Sequence, residues 1–212
     1  MRLTNLEAIA ERVRQNLEIR NAARDLALQR SRELIRQCAN AIRAAHRSEF
    51  AEAQEILAGA HAAAADIVAG LAGFPDLYQA GYTQDAMKEY AEAAITIALV
   101  QGQDLPEPEQ LGVEYAAYLN GLGEAAGELR RYALDALRRN DVATAEEMLS
   151  SMDDIYDTLV TIDFPDALTG GLRRTTDMVR GVLERTRGDL TVASRQQRLE
   201  AALSEFESRF SV

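Results

Sequence analysis

Two pairs of glutamates carry the strongest chemical signal in the sequence. Residues 86–100, AMKEYAEAAITIALV, are apolar around most of a helical circumference, yet Glu89 and Glu92 fall inside them. Asp85, Glu89, Glu92 and Thr96 follow one another at helical intervals and so share one stripe. A helix that is apolar on nearly every side is a buried helix. A carboxylate placed there must pair, take up a proton or bind a cation.

The pattern returns in YLNGLGEAAGELRR, where Asn120, Glu124, Glu128 and Arg131 share one face. Gly121, Gly123 and Gly127 interrupt that segment at a cost of about 1 kcal/mol each relative to alanine. Small residues at such positions let another helix approach closely, which would bring the two acidic stripes together. Four converging carboxylates form a hard-oxygen site suited to Mg²⁺ or Mn²⁺. A cation held there could activate water and stabilise a phosphodiester during cleavage. The same spacing also describes ordinary solvated glutamates, and among 34 acidic residues both readings stand. A dinuclear carboxylate oxygenase or ferritin-like bundle is disfavoured by its own motif. It needs Glu-x-x-His on two helices, whereas His46 and His61 follow Arg43 and Ala58 at that distance.

The elements that must position these groups are helical. Hydrophobic residues make up 47% of the 212-residue chain and aromatics only 6%, with no Trp, so Ala and Leu carry the apolar content. Neither Gly nor Pro occurs before Gly59. Leu6, Ile9, Val13, Leu17, Leu26, Leu34, Cys38 and Ile42 keep helical spacing, which predicts one helix over 4–46. Further helices are predicted over 48–71, 83–100, 110–139, 142–160, 165–187 and 192–209. Arg187-Gly188-Asp189 is read as the break between the last two. The expected architecture is an all-α, seven-helix bundle, with residues 1–212 forming a single domain.

A lone cysteine, Cys38, excludes an intramolecular disulfide framework. The N-terminus carries charges every few positions, unlike a secretory leader. No uncharged apolar run reaches the roughly 18 residues of a membrane span. A soluble, cytoplasmic protein without membrane association is therefore expected.

The net charge of −11 is unevenly distributed, because residues 1–47 hold ten Arg against five acids. Lys88 is the only lysine. Arg32, Arg36, Arg43 and Arg47 continue one side of the first helix, an arrangement suited to a phosphate backbone and to salt-sensitive, sequence-tolerant binding. A solvated face with intrahelical Glu–Arg pairs is the competing account. His46 reads as a helix-end residue or phosphate contact. Tyr78 and Tyr82 read as core or interface residues, with base stacking as the alternative.

Several segments together resemble the translin and translin-associated factor X family. Ser31-Arg32-Glu33 followed by His46-Arg47 resembles the family's SRD…HR pattern. Lys88-Glu89-Tyr90-Ala91-Glu92-Ala93 resembles the QEYVEA segment of factor X, in which both Glu serve a metal site that translin has lost. Tyr118 to Leu129 resembles YLxGxxDxxGEL, with Glu124 standing where the relative has Asp. Leu172-Arg173-Arg174 and Arg187-Gly188 resemble the LRK…RG segments.

The resemblance implies a hollow homo-oligomer built of one kind of subunit, closer to the catalytic factor X branch. Six to eight subunits are expected to enclose both RNA and active sites. It implies that Glu89, Glu92, Glu124 and Glu128 hold Mg²⁺ or Mn²⁺ and carry catalysis. Nucleic-acid contacts are expected from Arg32, Arg36, Arg43, His46, Arg47, Arg173 and Arg174. Two function classes follow. One is a divalent-metal-dependent endoribonuclease acting on single-stranded RNA, with single-stranded DNA as a second candidate substrate. The other is a non-catalytic oligomer that binds single-stranded nucleic acid.

Overall fold

The structure, a computed structural model, describes residues 5–210. Among these residues the chain runs through α1 (Leu6–His46), α2 (Phe50–Gly70), α3 (Pro75–Tyr78), α4 (Gly81–Val100), α5 (Pro108–Leu111), α6 (Tyr115–Arg138), α7 (Val142–Val160), α8 (Asp166–Thr169) and α9 (Leu172–Phe210). No strand occurs among them. Six helices are long, and α3, α5 and α8 are single turns.

The all-helical expectation holds, but nine segments replace the seven expected, for local reasons. The helix expected over 110–139 is interrupted where Gly112 caps α5 with φ +67°. Glu107 and Gln110 close a capping box at the start of that turn. The helix expected from 165 is likewise cut after Thr169, where Gly170 and Gly171 take φ +61° and +85°. Left-handed backbone of this kind ends a helix, and glycine adopts it without steric cost.

The predicted break at Arg187-Gly188-Asp189 is absent, and α9 runs through it for 39 residues. An interior glycine weakens a helix by about 1 kcal/mol, which packing on its neighbours can outweigh. Here Leu183, Thr186 and Leu190 are all buried. Arg130 of α6 contacts Thr186 at 3.0 Å and Asp189 at 2.8 Å, and Arg187 reaches Asp153 of α7 at 2.5 Å. These ties span the glycine on both sides.

The core lies around α4, which packs against α1, α2 and α6, while α7 and α9 close the far side of α6. Twelve of the 20 residues in α4 are buried, as its apolar circumference requires. Close packing with α6 depends on Gly121. A Cβ there would stand 2.7 Å from the Lys88 carbonyl oxygen and 2.9 Å from the Glu92 amide nitrogen. Gly123 fills the same role toward the other side, where a Cβ would meet Thr175 and Leu159. Gly127 faces open space instead, so it contributes nothing to the approach.

Helix α1 has 41 residues and spans about 60 Å at 1.5 Å per residue. Its buried positions begin only at Ala27. Leu6, Ile9, Val13 and Leu17 before that point are exposed, as are Val192, Leu199, Leu203 and Phe206 in the second half of α9. No helix among the described residues is long and apolar enough to cross a membrane.

Candidate metal centre and its polar surroundings

Crossing at Gly121 lays the two acidic stripes against each other. Glu89 and Glu92 come from adjacent turns of α4, and Glu124 projects from α6 one turn beyond the glycine. One carboxylate oxygen from each of the three lies within 4.8 Å of the others. Glu92 is 8% exposed. Burial, reinforced by Glu89, Glu124 and Glu128, pushes its carboxyl up to about 8. Burial and the neighbouring Glu124 also raise Glu89 above the usual carboxylate range.

The fourth predicted carboxylate is held differently. Glu128 Oε2 lies 2.5 Å from His46 Nε2, at the last turn of α1. That hydrogen bond, opposed by burial, holds Glu128 below the usual carboxylate range. The His46 side chain is only 5% exposed, and its Nδ1 is buried without a partner among the described residues. Its ring sits 6.2 Å from Tyr132. His46 is thus placed inside against Glu128 rather than on the surface with the arginine row.

Among the described residues, Lys88 is the cation that meets the cluster. Lys88 Nζ donates to Glu124 Oε1 at 2.7 Å. Burial works against its charge most strongly, but Glu124, Glu89 and Asp85 together raise the ammonium above its ordinary value. Three carboxylates facing one ammonium leave excess negative charge in a half-buried place. That excess calls for a proton or a divalent cation.

The donors of the cluster are all carboxylate oxygens, which fits Mg²⁺ or Mn²⁺ and disfavours softer ions. Cys38 does not change this. Burial first, then Glu89 and Glu92, push its thiol up to about 12, so it stays protonated.

The remaining members of the two stripes do other work. Thr96 is fully buried and its hydroxyl has no partner among the described residues. Asn120 donates to the carbonyls of Thr169 at 2.7 Å and Ala116 at 2.8 Å, and accepts from Thr175 Oγ1 at 2.6 Å. It therefore ties α6 to the turn that opens α9. Beside it lies an open cavity of about 820 Å³, whose lining includes Asp85, Lys88, Glu124, Tyr115, Arg174 and Met178.

Arg32, Arg36 and Arg43 lie exposed along α1, and Arg47 lies exposed just past its end. Arg36 pairs with Glu33, Arg43 donates to Asn40, and Arg47 pairs with Glu49 and Glu52. Arg32 has no ion pair among the described residues. Arg173 reaches Asp163 at 3.1 Å, and Arg174 opens onto the cavity. Tyr78 and Tyr82 are half-buried against the core.

The structure brings together Glu89, Glu92 and Glu124, which sequence spacing singled out, but the spacing gave no account of the Lys88–Glu124 and His46–Glu128 contacts. The isolation of Lys88 as the only lysine was a usable signal. Nothing in the spacing signalled the second contact, because its partners are 82 positions apart.

An all-helical chain with an acidic cluster between two closely packed helices defines a class, and comparison with known proteins supplies its name. No family model matches the sequence. An uncharacterized protein of Methanocaldococcus jannaschii is 28% identical over 189 residues, covering 89% of this chain and 84% of that one. The crystal structure of AfC3PO is 34% identical, covers 88% of this chain and 97% of its own, and superposes with a TM-score of 0.81. AfC3PO in complex with duplex RNA gives the same identity and coverage with a TM-score of 0.76. Apo-NeC3PO, 22% identical over 91% of this chain and 99% of its own, shares the fold with a TM-score of 0.78. The chain belongs to the translin/TRAX family, among its C3PO members.

Proposed function

We propose that this chain is a divalent-metal-dependent endoribonuclease that works as a homo-oligomeric shell of one kind of subunit. The observation that carries the reading is the convergence of Glu89, Glu92 and Glu124 at the Gly121 crossing, with Glu92 buried and in need of a counter-charge. Residues 1–212 form one translin-like domain in this reading, and its place of work is the cytoplasm. Glu89, Glu92 and Glu124 hold the cation, and Glu128 completes the set from its mooring on His46. Mg²⁺ or Mn²⁺, when bound, supplies an activated water and neutralises charge on the phosphodiester.

The protein's own groups bind and orient the strand. Arg32, Arg36, Arg43 and Arg47 offer phosphate contacts along α1, while Arg173 and Arg174 offer them at the start of α9. RNA as the ligand is supported by AfC3PO, which has been captured with duplex RNA. The substrate proposed for cleavage is single-stranded RNA, with single-stranded DNA as the alternative strand. The exposed apolar residues toward the start of α1 and along the second half of α9 support self-association into six to eight subunits, since symmetric closure is the usual way to bury such surface.

The test is cleavage of end-labelled single-stranded and duplex RNA and single-stranded DNA, each with chelator, Mg²⁺ or Mn²⁺, with the assembly mass measured in parallel. Chelator should abolish cleavage and either metal restore it. The Glu89/Glu92/Glu124/Glu128→Gln variant should bind RNA without cutting it. Cleavage that persists in excess chelator would sink the mechanism.

A second reading is favoured by one observation. A protonated Glu92, together with the Lys88–Glu124 pair, offsets much of the cluster's charge without an ion. The protein would then be a non-catalytic nucleic-acid-binding oligomer. Metal-independent RNA binding, with no cleavage under any metal, would select it.

A further inference from the structure

The only lysine of the chain stands where the carboxylate cluster opens into the 820 Å³ cavity, and it belongs to both. Its ammonium bonds Glu124, a member of the cluster, while the same two side chains line the cavity wall. Arg174 of α9 also lines the cavity, so a second cation is available to an anion placed there. Every other cationic residue is arginine, a planar fork that grips a carboxylate bidentately. An ammonium is a compact charge on a flexible stem and can exchange one oxygen partner for another. The Lys88 side chain is 22% exposed, so its head is neither free in solvent nor sealed in the core.

We propose that Lys88 is an exchangeable counter-ion and a substrate-binding residue. It holds Glu124 while the carboxylates are bare. When a divalent cation takes Glu124, Lys88 passes to a phosphate oxygen of a nucleic-acid strand seated in the cavity. The cavity is then the subsite for the phosphodiester next to the cluster, with Lys88 and Arg174 as its cationic contacts. The inference rests on the metal-dependent nuclease reading. Its consequence is specific: Lys88 competes with the metal and cooperates with the strand, so removing it should move the two affinities in opposite directions.

The experiment measures Mn²⁺ binding by paramagnetic resonance, and then binding of an uncleavable 2′-O-methyl RNA to the Mn²⁺-loaded protein. It compares wild type, Lys88→Met, Lys88→Gln and Lys88→Arg. Methionine keeps much of the stem without the charge, and glutamine serves if the methionine variant fails to fold.

Loss of this partly exposed pair should tighten Mn²⁺ binding by about two- to fivefold. Loss of one charge-assisted contact should weaken RNA binding by about tenfold in the loaded protein. Lys88→Arg should retain much of the RNA affinity. Because the chain has one lysine, reductive ¹³C-methylation gives a single lysine resonance, distinct from that of the terminal amine. It should shift on adding Mg²⁺ and again on adding the RNA.

Unchanged or weaker Mn²⁺ binding in the Met and Gln variants would overturn the competition. Tighter Mn²⁺ with unchanged RNA affinity would overturn the transfer. If wild type binds Mn²⁺ no better than the four-glutamine variant, this inference falls together with the metal reading. Failure confined to the Lys88 variants leaves that reading standing.

Discussion

Replacing Glu92 by Gln should make the metal-free protein more stable, although it removes a buried side chain's native chemistry. In the unfolded chain this carboxyl titrates at its ordinary value of 4.5, and in the folded protein burial and its neighbours push it up to about 8. Between those values the folded state binds a proton that the unfolded state releases. Stability is therefore full below pH 4.5, is lost as pH rises through that window, and levels off above 8.

At pH 7 the gap is 2.5 units. At about 1.4 kcal/mol per unit this costs about 3 kcal/mol, an upper figure because Glu89 and Glu124 share the interaction. Glutamine keeps the shape without the charge. For a chain of this size, about 3 kcal/mol corresponds to roughly 6–12 °C in melting temperature. The assay is thermal unfolding across pH 4.5–8.5 in chelator, then repeated with saturating Mn²⁺. The advantage of Glu92→Gln should grow with pH and vanish near 4.5. Mn²⁺ should raise the wild-type melting temperature and raise the variant's much less. A destabilised variant at pH 7, or a gap that ignores pH, would refute the reasoning.

The other tests address the frame and the strand. Gly121→Ala drives a methyl into the α4 backbone and should cost about 1–3 kcal/mol while weakening Mn²⁺ binding, read by denaturant titration and metal titration. Gly127→Ala meets open space and should instead stabilise by about 0.5–1 kcal/mol, measured by the same titration. Charge reversal at Arg32, Arg36 and Arg43 together should weaken single-stranded RNA binding irrespective of sequence. It should also flatten the log–log salt dependence by about 2, read from binding isotherms across a salt series.

The sequence disclosed faces more readily than partners. The apolar circumference of α4 forced its burial, so Glu89 and Glu92 had to meet something. Glycine in the middle of α6 marked where a helix could come close, and Gly121 does so while Gly127 does not. Periodicity cannot separate those two, because only the packing partner distinguishes them. The same limit explains the misplaced break at Gly188. A glycine ends a helix where the backbone turns left-handed, as at Gly170. It is tolerated where cross-helix ties such as Arg130–Asp189 hold both flanks. Asn120 and Thr96 shared their stripes with the acids, yet Asn120 serves the α8–α9 turn, a contact fixed only by the path of the chain 49 residues on.

The overhanging first half of α1 has a thermodynamic consequence of its own. About twenty residues precede the first buried position, with Leu6, Ile9, Val13 and Leu17 turned to water. A stretch of that length joined to its own subunit mainly from Arg20 onward, where Arg20 pairs with Asp76, is marginal as a helix in aqueous solution. Its winding and its burial on another subunit are then one coupled equilibrium. Ellipticity itself becomes a concentration-dependent quantity, falling on dilution by the share that these residues contribute. Proteolytic nicking should begin in the same stretch, at a rate set by how much protomer stands alone.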